Sequence, residues 1–261
     1  MLKYYIFDPS VWELAFDCTP YKTYPKRCQH LRAWVDTFDL AFNLCYFNFD
    51  TVEARKANAS YRTLQYLHID RLGGDVAYGG TVERVKLPNG DSVAGWTLGI
   101  RNGNIIETDT RARRARNGFG LTQEGRYIVA QSDEMTLKAF CQAVNRRLDV
   151  KVFLLMDGGG SVGTYSARSK MLFAPEKEGT NGRAVASVLL AKYKGEKIHR
   201  TLRMPSFGDD VKLLQTILGT VEADGIYGPT TKKAVIQAQR NLGLDDDGIA
   251  GPLTLKALGL K

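Results

Sequence analysis

Residues 151–161, KVFLLMDGGGS, set a carboxylate at the end of an apolar run and follow it with three glycines. Val152 to Met156 has the pattern of a short buried strand, and Asp157 closes it. A charge in that position is costly unless something pairs with it or reacts through it. Gly158, Gly159 and Gly160 have no Cβ, so the chain can turn sharply and bring its amides close to a ligand; Ser161 adds a hydroxyl. Such a set suits a turn that brings a carboxylate and bare backbone close to a ligand. The same residues would also serve as a strand-to-loop turn capped by aspartate. A second candidate is Asn43, the polar residue inside the apolar run DLAFNLCYF. A buried amide must find partners, either in neighbouring backbone or in a pocket.

Charge points to an anionic partner. The formal net charge is +8. From Pro205 onward six Lys/Arg stand against seven Asp/Glu, about −1, so the first 204 residues carry about +9. Four of those charges lie in TRARRAR, Thr110 to Arg116. Nucleic acid, a phosphate-rich polymer or an acidic wall would answer such a surface, and so would a simple need for solubility. Cys18, Cys28, Cys45 and Cys141 form no CxxC pair, and His30, His68 and His199 are scattered. No metal or cofactor is expected, and reduced thiols are the default. No apolar run approaches a membrane span, and the opening MLKYYIFDPSVWELAFD does not read as a secretory signal. The expectation is synthesis in a cytoplasm.

The elements that must position these residues read as α+β, a mixed sheet whose strands outnumber its helices. KYYIFD, DLAFNLCYF, residues 118–121 and 127–131, KVFLLMD and AVASVLLAK are candidate strands, and GWTLGIRNGNIIE is a hairpin turning at Asn102-Gly103. Helical spacing marks residues 27–38 and 136–148. Residues 1–193 form the larger domain, the aperiodic segment 194–206 a linker, and 207–261 a small three-helix domain. That last segment repeats itself: DGIYGPTTKKAV from Asp224 returns as DGIAGPLTLKAL from Asp247, a tight Asp-Gly turn followed by Gly-Pro opening a helix.

GDDVKLLQTIL and the doubled DG-x-x-GP-x-T pattern resemble the bacterial peptidoglycan-binding domain of the first type, with Ala238-Gln239 where that family has an aromatic-Gln pair. The larger domain resembles the phosphodiester glycosidase family in four blocks: DLAFNLCYF, RNGFGLTQEGR, KVFLLMDGGGS and GRAVASVLLA. Leu44-Cys45 stand where that family has glycines. The resemblance implies a site containing Asn43, Arg116, Asp157, Gly158, Gly159, Ser161 and Arg183. In it Asp157 acts at the anomeric carbon, and the guanidinium forks of Arg116 and Arg183 hold the phosphodiester. Most glycosidases need two carboxylates, but a phosphate leaves more readily than a sugar alkoxide. Asp70, Asp75, Glu107 and Asp109 are open as partners.

The combination implies a hydrolase that cleaves a sugar-1-phosphodiester in a cell wall, such as the GlcNAc-1-phosphate ester joining teichoic acid to peptidoglycan. A phage or prophage endolysin, acting at the wall after release, fits this organisation. A lysozyme-like hydrolase of glycan strands and a non-catalytic adsorption protein are the alternatives. The expected partners are peptidoglycan and an anionic wall polymer rather than nucleic acid.

Overall fold

The computed structural model describes residues 2–18, 30–35, 37–43, 84–89, 92–94, 97–106, 111–156, 158–177, 182, 185, 187–219 and 222–261. Two strands open the chain, β1 (Leu2–Phe7) and β2 (Trp12–Cys18), and between them the Asp8 carboxylate accepts from the backbone and hydroxyl of Ser10. β3 (Leu40–Asn43) follows a single 3-10 turn at Leu31–Ala33. A two-stranded ribbon of β4 (Arg84–Lys86) and β5 (Ser92–Ala94) precedes the hairpin of β6 (Thr97–Arg101) and β7 (Asn104–Ile105). The hairpin turns on Asn102 and Gly103, at φ 47° and 74°, the left-handed pair that a two-residue hairpin requires. Next come β8 (Arg114–Thr122), β9 (Tyr127–Met135), α1 (Leu137–Asn145) and β10 (Val150–Leu155); the Thr136 hydroxyl caps α1 by accepting from Ala139 N. β11 (Thr164–Ser166), β12 (Met171–Phe173) and β13 (Ser187–Tyr193) complete the strands, and α2 (Asp209–Leu218), α3 (Pro229–Leu242) and α4 (Pro252–Ala257) end the chain.

The class is α+β. A six-stranded sheet runs β1-β9-β8-β10-β6-β7 and a five-stranded sheet β12-β11-β3-β13-β2. Where a mixed sheet was expected, the described pairings are antiparallel. Tyr5, Phe7, Phe119, Val129 and Leu154 from the first sheet share one core with Leu14, Phe16, Leu40, Phe42 and Leu189 from the second. Phe42 meets the Tyr5 and Phe7 rings edge-on at 4.9 and 5.7 Å, contacts worth about 0.5–1.5 kcal/mol each beyond burial. α1 covers the far face of the six-stranded sheet through Phe140 and Val144 against Ile128 and Phe153. Gly118 makes that packing possible: a Cβ there would stand 2.3 Å from the Phe153 ring.

The helix expected over residues 27–38 is a correction within its described part. Leu31, Trp34 and Val35 do share a buried cluster, but they do so from a 3-10 turn and a bend in which Phe38 N reaches Val35 O. One turn fixes too few hydrogen bonds to offset helix nucleation, so packing sets the conformation.

Each repeat of the C-terminal segment is clamped by a glutamine. Gln215 Nε2 donates to Asp224 Oδ1, Ile226 O and Thr231 Oγ1, and its Oε1 accepts from Gly225 N. Gln239 does the same for Asp247, Ile249, Thr254 and Gly248. The segment 194–206, read as a linker, pairs with both loops, Leu202 bridging Ala250 and Ser206 O accepting from Tyr227 N, and buries Ile198 and Leu202.

The helices also dock on the sheets. A helix leaves its last carbonyls without partners. For α2 those of Ile217, Leu218 and Gly219 accept from the hydroxyls of Ser166, Ser169 and Tyr5, all in the larger domain. Arg168 bridges Asp39, at 2.5 Å, and the Leu258 carbonyl, and Asn241 donates to Ser169 O. Val211, Leu214 and Ile217 join the core cluster of Tyr5 and Phe42.

Candidate active site

β10 ends where its flank can no longer carry side chains. Met156 N still donates to Asn117 O, but a Cβ on Gly158 would lie 2.8 Å from the Ala115 carbonyl. Gly159 then takes φ +63°, and Val162 N closes a 3-10 turn on its carbonyl, with Ser161 buried. The glycines are thus required by close backbone approach and a left-handed turn.

This turn is tied to both sheets by buried amides. Gln131 of β9 donates to Gly163 O at 2.9 Å and accepts from the Thr164 hydroxyl at 2.5 Å. Asn117 of β8 donates to the Asn43 carbonyl, and Asn43 N donates to Gly163 O. Asn43 is 0 % exposed, yet among the described residues neither its side-chain oxygen nor its nitrogen has a hydrogen-bond partner. Each unpartnered buried group costs about 1–3 kcal/mol, so the amide is a receptor in want of a donor and an acceptor. A cation lies in the same layer: Lys3, opposite Gln131 in the β1–β9 register, holds its ammonium 3.7 Å from the centre of the Phe173 ring.

Arg116 is partly buried beside this turn, in register with Ser132. Its Nε donates to Met135 O at 2.8 Å and a terminal nitrogen to Ala112 O. Strand alternation puts Arg116 and Asn117 on opposite faces of β8, so the arginine reaches over β9 toward the start of α1. Arg113 donates to Glu134 O, and with Arg111 and Arg114 it is exposed. The run TRARRAR therefore continues into β8 rather than ending ahead of it. Gly158, Gly159 and Ser161 lie in the turn itself, Asn43 is tied to the residues just after it through Gly163 O, and Arg116 is one residue from the Ala115–Gly158 approach. Asp157 and Arg183 lie outside the described residues, as do Asp70, Asp75, Glu107 and Asp109.

One carboxylate that the sequence reading passed over stands against the glycines. Glu176 sits in a 3-10 turn after β12; its Oε1 accepts from Ala115 N at 2.9 Å, and its Oε2 would lie 3.4 Å from a Cβ on Gly159. Its signal was the acid in FAPEKEG, 19 residues beyond Asp157, within a stretch without periodicity. Among the described residues no cluster of His, Cys, Asp or Glu suited to a metal ion is present.

The sequence model of the phosphodiester glycosidase family matches residues 51–192, more than half of the chain. The chain belongs to the phosphodiester glycosidase family. A peptidoglycan binding domain follows, matched over residues 207–258, so the hydrolase-family fold is joined to a wall-polymer module. Among solved structures the chain resembles the catalytic domain of zebrafish N-acetylglucosamine-1-phosphodiester alpha-N-acetylglucosaminidase, auto-inhibited by its pro-peptide. The identity is 15%, covering 74% of this chain and 83% of that one, with a TM-score of 0.50, a likeness of fold. A hypothetical protein from Synechocystis aligns at 10% identity over 73% and 58% of the two chains, with a TM-score of 0.48. No curated protein matches the sequence. Among the described residues no helix is long and apolar enough to cross a membrane.

Proposed function

We propose that the protein hydrolyses a sugar-1-phosphodiester in an anionic wall polymer, of the kind that joins GlcNAc-1-phosphate of teichoic acid to a peptidoglycan sugar, and serves as a phage or prophage endolysin. The observation that carries this reading is a phosphodiester glycosidase domain and a peptidoglycan binding domain in one docked body. The named zebrafish enzyme acts on a GlcNAc-1-phosphodiester, which supports the same bond type here.

In this mechanism the glycosidic C1–O bond breaks and its electron pair leaves on the phosphate oxygen. A phosphodiester released as a monoester is a stable anion, so protonation of the leaving group is not obligatory. Arg183 and the amides of Gly158 and Gly159 meet the phosphate. Ser161 and the open amide of Asn43 hold sugar hydroxyl or acetamido groups. Water bonds to C1 and gives its proton to a carboxylate, Asp157 or Glu176; if Asp157 first bonds to C1 itself, Glu176 takes the proton in the second step.

The test is product analysis on purified walls. Mass spectrometry should find polymer ending in reducing GlcNAc and muropeptides carrying a phosphomonoester, from walls with teichoic acid and not from walls stripped of it. Release of glycan fragments from stripped walls would instead assign a lysozyme-like activity.

A further inference from the structure

Among the described residues five large apolar side chains are exposed, and four of them, Met204, Phe207, Ile226 and Leu253, fall in the C-terminal quarter of the chain. Two of these are neighbours by construction, since Phe207 and Ile226 pair in an antiparallel bridge. The second repeat carries a bridge one residue further along its loop, Leu202 with Ala250, at the position Tyr227 holds in the first, and there both residues are 0 % exposed. At the first repeat the pair is left open, with Phe207 at 75 % and Ile226 at 59 %. These side chains contribute little to the fold, and an adjacent apolar pair on a rigid backbone marks a contact surface.

We propose that Phe207 and Ile226 form a platform that takes the apolar face of a pyranose ring in the peptidoglycan glycan strand. The backbone beneath is fixed by Tyr227 N to Ser206 O and Gly208 N to Gly225 O. Arg200 donates to Phe207 O and makes two bonds to Asp210, at 2.6 and 2.9 Å, so a flat apolar centre has polar groups at its rim. A sugar ring has the matching form, with C–H groups on one face and hydroxyls around the edge. A stem peptide would need free main-chain groups, and here three of the pair's four are taken. Ile226 N donates to Asp224, Ile226 O accepts from Gln215 and from Gly228 N, and Phe207 O holds Arg200.

The inference rests on the wall-binding reading, and co-sedimentation of the full chain separates the two. Phe207→Ala and Ile226→Ser, both at exposed positions, should leave the melting temperature unchanged and weaken pelleting with sacculi by about tenfold, while Phe207→Trp keeps it. The loss should persist on glycan strands freed of stem peptides by an amidase. A parent chain that stays in the supernatant overturns the wall-binding reading itself. If the parent pellets and the variants bind equally, only the platform is overturned, and so it is if peptide-free strands bind neither protein. A parent dimer that Phe207→Ala dissociates, with sacculus binding intact, assigns the pair to self-association and also overturns the platform.

Discussion

The hydroxyl of Tyr5, in the first strand, donates to the carbonyl of Gly219 at the end of α2, 214 residues along the chain. Both groups are buried, so neither has water as an alternative. Tyr5→Phe keeps the ring against Phe42 and removes only the donor. It should cost about 1–3 kcal/mol, read as a lower denaturation midpoint with an unchanged slope. An unchanged midpoint would mean that the contact contributes nothing to docking.

The same interface predicts how truncation behaves. A chain ending at residue 204 would uncover the faces that meet Val211, Leu214 and Ile217, and leave Ser166, Ser169 and Tyr5 without their acceptors. It should melt lower than the full chain and aggregate on heating. Equal melting of the two would show that the sheets are self-sufficient.

Two carboxylates are separated by their isosteres. Asp157→Asn should cut turnover on teichoic-acid-containing walls by at least about a hundredfold, with sacculus binding retained. Glu176→Gln keeps the acceptor for Ala115 N and removes the charge. It should lower kcat more than it raises KM and abolish one limb of the pH–rate profile. A parental profile in the Gln variant would leave Glu176 as a brace for the glycine turn and no more.

Acid should loosen the helical domain first at its loop carboxylates. Ile249 N, Gln239 and burial act on Asp247, with the backbone donor the largest influence, and its pKa is held below the ordinary 3.8. Because the folded value is the lower one, the stabilisation is complete above pH 3.8 and is lost as pH falls through the folded value. Asp210, paired with Arg200, is lowered in the same sense. Melting temperature followed from pH 6 down to about pH 2 should fall less steeply in Asp247→Asn than in the parent. Parallel curves would remove Asp247 from the account.

Much of this was legible because it was local. The apolar run before Asp157 is β10, Asn102-Gly103 is the hairpin, and the doubled Asp-Gly loops are the clamped repeats. Arg114 to Arg116 concealed the start of β8, since a strand edged by guanidiniums lacks the alternation that marks a strand. Residues 194–206 read as a linker because Ile198 and Leu202 are isolated apolar residues, and their partners, Leu260 and Ala250, come far later. Glu176 was hidden for a similar reason: only the folded chain brings it against Gly159.

The hydroxyls of Tyr5, Ser166 and Ser169 fasten the end of α2, so the part that would grip the wall and the part that would cut it move as one body. An enzyme on a loose tether samples every bond within the reach of its leash. One built like a caliper meets only the bond at a set offset from where it holds. Each new cut then waits for the grip to open, so the dissociation rate of the helices caps the pace on intact wall, and a tighter grip makes a slower enzyme.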